Sequence, residues 1–196
     1  MESAIFGLVG VALGAVLAVA REWWFQTRKN KKEAEYLAIL VSCELERYAA
    51  HCAEVVGDDG LCEGRPDENG YASIQVKAPK FEPQALSVEW KSLPAHLMYE
   101  ILDFPYKAEL ASQSVSAAFE YAATPPDFCE GFEERQLQYA CLGIAALKLA
   151  AKLCEYVGLP TRDVGEWNPA EYMERHKADI ESRRKERISN YTKTDC

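Results

Sequence analysis

Histidine is scarce in this chain, three in 196 residues, and no CxxC, HExxH or DxDxDG spacing occurs, so no metal site is expected. His51 and Cys52 are adjacent, and neighbours on a helix point about 100° apart, which keeps them from sharing an ion. There is no GxSxG, no glycine-rich phosphate loop and no kinase-type set, so neither acyl nor phosphoryl transfer is signalled. His51, His96 and His176 lie in separate helical patterns and read as surface or packing residues. The chain is read without a catalytic signature and without a cofactor. Cysteine is present but not in a pairing pattern. Seven thiols at irregular spacing, an odd number, do not form the framework of a secreted disulfide-rich domain. Free cysteines inside helical patterns point instead to a reducing compartment.

Charge is missing from residues 3–20, and that absence carries the most information. Eighteen uncharged positions make a helix of about 27 Å, close to the hydrocarbon thickness of a bilayer. The polar stripe of a buried globular helix is lacking, as is the positive start of a secretory signal, although Ala18, Val19 and Ala20 form an A-x-A pattern. We read residues 3–21 as a transmembrane helix. Immediately after it stand Arg21, Trp23, Trp24, Arg28, Lys29, Lys31 and Lys32, an aromatic and basic flank suited to the headgroup layer. The positive flank orients the N-terminus outward and the body toward the cytoplasm. Within the span, Gly7, Gly10, Gly14 and Ala18 share one helix face, and Gly10 with Gly14 makes a GxxxG pair through which two spans would associate.

Charge is also unevenly spread. Of the net −9, residues 1–43 hold +1, residues 44–134 hold −12 and residues 135–196 hold +2. An acidic body is repelled by nucleic acid and by anionic lipid, so no nucleic-acid partner is expected. The expected partners are the lipid bilayer through the anchor and a protein, either another species or a second copy. The acidic stretch with Asp58, Asp59, Glu63, Asp67 and Glu68 reads as a solvated loop rather than a calcium site.

Neither glycine nor proline occurs between Arg21 and Val56, so a juxtamembrane helix over residues 22–56 is expected to continue from the span. Residues 57–93 carry turn formers and read as a loop and irregular segment, with a short extended stretch at residues 71–76. Residues 94–188 read as a helical bundle: a short helix stopping near Pro105, a second one through Ala122, a central apolar helix opened by Asp127 and Glu130 at capping-box spacing and closed by Gly158, and a charged last helix capped by Asn168 and running through Arg187. Residues 189–196 are expected to fray. The fold expected is all-α: one N-terminal membrane helix continuing into an antiparallel, up-and-down cytoplasmic bundle.

One stretch is over-supplied with rings. Phe81, Trp90, Tyr99, Phe104 and Tyr106 either pin an irregular segment to the bundle or line a groove for a partner. The function expected is a membrane-anchored interaction or scaffold protein. A single-span oligomer that permeabilises the membrane, or an enzyme with an unfamiliar site, are the alternatives.

Overall fold

A computed structural model of the chain describes residues 2–160, 165 and 167–194, with side chains described between residues 14 and 190. The protein is all-α. Four helices follow one another, α1 Glu2–Val56, α2 Ala95–Tyr121, α3 Cys129–Val157 and α4 Pro169–Thr194, with two 3-10 turns at Pro83–Ala85 and Trp90–Ser92 in the long connection between α1 and α2.

The 55-residue α1 is unbroken, and from Arg21 to Val56 it has neither glycine nor proline to interrupt it. Among its buried residues, Ala34, Leu37, Val41, Leu45, Tyr48, Cys52 and Val55 recur at steps of three and four and form a single face. The helix closes where Gly57 donates its N–H to the carbonyls of Ala53 and Glu54, both at 3.1 Å.

Helix α3 is the centre of the bundle and touches each of the other three helices, whereas α2 packs chiefly against α3. Cross-helix contacts fix the directions. Arg135 near the start of α3 meets Asp58 just beyond the end of α1, and Lys152 near its end meets Glu100 near the start of α2. Likewise Glu133 and Glu134 meet Arg187 and Arg184 toward the end of α4. Thus α1, α2 and α4 all run antiparallel to α3 and parallel to one another. The up-and-down order expected from sequence holds from α2 onward only, because residues 57–94 form a crossover that returns along the bundle before α2 begins.

That crossover is held from inside. Phe81 packs edge-on against Phe104 of α2 at 5.6 Å between ring centroids, and Tyr48 of α1 packs edge-on against Phe104 at 5.3 Å. At its start, the Asp58 carboxylate, 1% exposed, accepts hydrogen bonds from the N–H groups of Gly60, Gln75 and Val76 and pairs with Arg135 Nη1 at 2.8 Å. Arg135 also donates to the Val76 carbonyl. Residues 71–76 are therefore a tethered arm, and among the described residues no strand forms.

Three local expectations need correction. Pro105 does not end a helix but lies inside the 27-residue α2. A proline removes one backbone donor, a cost outweighed here because Leu97, Ile101, Phe104, Ala111 and Val115 stay in phase across it and bury a continuous stripe. Asp127 is not the N-cap of α3. That position belongs to Phe128, in the left-handed region at φ 51°, with no side-chain cap bond. Finally, α4 does not stop at Arg187 but continues to Thr194. Other terminal signals are seen as expected: Asn168 Oδ1 accepts from Ala170 N–H at 3.0 Å, and Gly158 at φ 73° caps α3 while Leu159 N–H reaches the Cys154 carbonyl at 2.8 Å.

Candidate functional site: the exposed stem of the first helix

Burial along α1 changes abruptly. Every described residue from Gly14 to Lys32 is exposed, and the first buried side chain is Ala34. Over residues 14–33, the part of α1 outside the bundle is about 30 Å long at the helical rise. Such a helix carries its own backbone hydrogen bonds and needs no neighbour for them, but its side chains have no protein to pack on. Val16, Leu17 and Val19 are 62–70% exposed, and Trp23 is 72% exposed. Isolated exposed apolar residues are ordinary, whereas a contiguous apolar surface marks a binding surface for protein or lipid.

The chemistry of the stem is graded along its length. Past Ala20 the rings of Trp23, Trp24 and Phe25 all project outward, and two cations lie over them: Arg28 stands 4.0 Å from the Trp24 ring centroid and Arg21 5.4 Å from that of Phe25. One turn further, Lys29 and Lys31 reach Glu33 and Glu35 at 3.8 and 3.9 Å, exposed pairs of small energetic weight. The order is therefore apolar cylinder, aromatic and cationic collar, then charged helix entering the bundle. The residues assigned to a membrane interface all sit on this collar. Of the small-residue face, Gly14 has open space where a Cβ would stand and Ala18 is exposed, while the side-chain positions of Gly7 and Gly10 lie outside the described residues. Among the described residues, no helix is long and apolar enough to cross a membrane.

The five aromatic residues expected to share a groove are divided by the fold. Phe81 and Phe104 are core residues, Trp90 is half-buried against the core, and Tyr99 and Tyr106 stand on the outer side of α2 with 68% and 59% exposure. No single groove contains them all.

Elsewhere, the polar groups that approach one another are chiefly structural. Among the described residues no three of histidine, cysteine, aspartate and glutamate could hold a metal ion. His51 and His96 are exposed, and His176 rests against the Tyr172 ring at 4.5 Å. A cleft between the starts of α1's crossover and α3 and the end of α4 is lined by Asp127, Cys129, Gln136, Arg183 and Arg187. There the Cys129 thiol hydrogen-bonds to the Asp127 carboxylate, which raises the thiol's pKa and lowers that of the acid. A thiol held protonated is a poor nucleophile. Glu133 and Glu134, read from sequence as offsets to a helix dipole, instead take Arg187, Arg183 and Arg184 from α4 and fasten that helix to α3. Sequence reasoning also missed the buried pairing of Asp58 with Arg135, since Asp58 looked like one acid among several in a loop.

No protein-family model, curated protein or solved structure matches the chain.

Proposed function

We propose that the protein is a membrane-anchored interaction protein, with residues 3–20 crossing the bilayer, the N-terminus outside and the acidic helical body at the cytoplasmic face. The observation that carries this reading is the abrupt end of burial at Ala34: among the described side chains, the apolar stretch of residues 14–20 and its collar of Trp23, Trp24, Arg28, Lys29, Lys31 and Lys32 have no protein cover. Lipid is the solvent that suits this order of surfaces. Nine large apolar residues between Ile5 and Val19, at roughly −0.3 to −0.6 kcal/mol each, favour insertion by about 4 kcal/mol. The collar then sits at headgroup depth, with its cations drawn to the anionic leaflet and the acidic body kept off it. An anchor of this kind raises the local concentration of the body at the membrane, which is how a binding module gains avidity without new contacts.

The test is extraction and topology of the full chain expressed in cells. The protein is expected to remain in the pellet when membranes are washed with alkaline carbonate. A tag at the N-terminus is expected to be reached by an impermeant reagent from outside, and one after residue 196 only after permeabilisation. Release of intact chain by carbonate would refute the anchor, and the reverse labelling pattern would refute the orientation.

A further inference from the structure

Helix α2 is apolar on two opposite sides. Leu97, Ile101, Phe104, Ala111 and Val115 face the core. Half a turn away, Tyr99, Leu102, Tyr106 and Leu110, spaced by three, four and four residues, line up on the outer side, where they are 37–68% exposed. At 100° per residue these four fall within about 80° of arc, a ridge of the width that one helix presents to another. A helix in the middle of a bundle uses two such faces. Here α2 is at the edge and packs chiefly on α3, so its second face has no described protein against it.

The charges beside the ridge say what kind of helix would suit it. Helix α2 carries four acids, Glu100, Asp103, Glu109 and Glu120, against one base, Lys107. Glu100 is paired with Lys152 at 2.7 Å and Asp103 with Lys107 at 3.0 Å. Glu109 and Glu120 form no ion pair among the described residues; Glu109 flanks the ridge on one side, and Glu120 continues that side about 15 Å past Leu110. They belong to the segment of residues 44–134 that holds −12. A second copy would bring the same acids against these, which disfavours self-pairing through this face; a basic helix would neutralise them.

We propose that the outer ridge of α2, formed by Tyr99, Leu102, Tyr106 and Leu110, is the docking surface for a cationic amphipathic helix of a partner protein. This rests on the interaction-protein reading of the body but not on the membrane anchor. Apolar positions of the partner at i, i+3, i+4 and i+7 interlock with the tyrosines and leucines, and lysine or arginine on its flank meets Glu109 and Glu120. Tyrosine is well suited to such a surface, offering large contact area at low entropy cost and a hydroxyl that remains wet.

The experiment uses the full chain in zwitterionic nanodiscs and an 18-residue leucine–lysine amphipathic peptide carrying a fluorophore, with the signal from empty nanodiscs subtracted. Binding is expected by anisotropy, at least tenfold weaker for the same peptide with glutamate in place of lysine, and at least tenfold weaker for Leu102→Asp/Tyr106→Asp. Both substituted positions are exposed, and an unchanged thermal melt confirms the fold; if that pair unfolds the bundle, Glu109→Lys/Glu120→Lys serves as the second variant, with the same loss expected. The proposal is overturned by absent binding, by equal binding of the acidic peptide, by indifference to the variants in a folded protein, or by a wild-type dimer that dissociates on Leu102→Asp/Tyr106→Asp. Any of these outcomes combined with retention in carbonate-washed membranes removes the partner class and leaves the anchor standing.

Discussion

Tyr48 is the residue whose placement costs the bundle most visibly. Its ring is well packed against Phe104 and Phe81, yet its hydroxyl is buried without a well-formed hydrogen bond, near the Cys52 thiol, a weak acceptor, and Tyr139. Burial raises the pKa of both groups, that of Cys52 from 9.0 to about 12, and Tyr139 beside them is raised by the same cause. In the folded state these groups keep their protons at pH values where the unfolded chain has released them. Stability from this cluster is therefore fully present below about pH 9 and is lost as pH rises toward the folded values. Thermal melts followed by far-UV circular dichroism are expected to show Tm holding to about pH 9 and falling from there to about pH 11. Tyr48→Phe should flatten that fall and, near pH 7, stabilise the fold by about 1 kcal/mol by removing an unpaired hydroxyl. A Tyr48→Phe protein less stable than wild type at neutral pH would show that the hydroxyl has a partner after all. None of this was legible in the sequence, where Tyr48 and Cys52 appear simply as two apolar positions on one stripe. Periodicity tells which face is buried and says nothing about whether a polar tip on that face finds company.

At the scale of elements, the crossing of α1, α3 and α4 depends on one missing side chain. A Cβ on Gly143 would stand 2.4 Å from Met173 Sδ and 2.9 Å from Cys52 Cβ, so three helices meet where α3 has no bulk. The methionine can turn away, but the Cys52 Cβ is fixed to the α1 backbone. Gly143→Ala is expected to destabilise by about 1–3 kcal/mol despite the better helix propensity of alanine, and Gly143→Val by more, measured by urea unfolding. A stabilised Gly143→Ala would mean that the helices separate freely at this crossing. The elements themselves were largely readable, because uninterrupted three-and-four spacing produces α1 and α3, and Asn168 and Gly158 announce an end of a helix each. Two element-level features were not. The phase of the apolar stripe runs straight through Pro105, so a strong local breaker was overruled by burial. Helix direction is set by which ends meet, and the Asp58 and Arg135 pair that closes the start of the crossover joins residues 77 positions apart.

For the whole molecule, the division lies at Ala34, where stem becomes body. Among the described residues, the core runs from Ala34 through Ile180. Deletion of residues 2–27 is thus expected to leave the bundle folded, with a Tm within about 2 °C of the full chain, while abolishing membrane retention; a large fall in Tm would show that the stem packs on the body. The candidate site was readable as far as its amino acids define it, since apolar run, tryptophans and cations succeed one another in sequence as they do in space. The outer ridge of α2 was half visible: Tyr99 and Tyr106 stood out as unusual, but only the fold separates them from Phe81 and Phe104, which turn inward. The unbroken backbone of α1 has a mechanical consequence as well. From Arg21 to Val56 it is a stiff lever of about 50 Å with no glycine or proline joint. Held in a bilayer, a 10° change in the inclination of its embedded end would sweep the far tip through about 9 Å, so that stretching or thickening of the lipid sheet would be converted directly into displacement of everything the body carries.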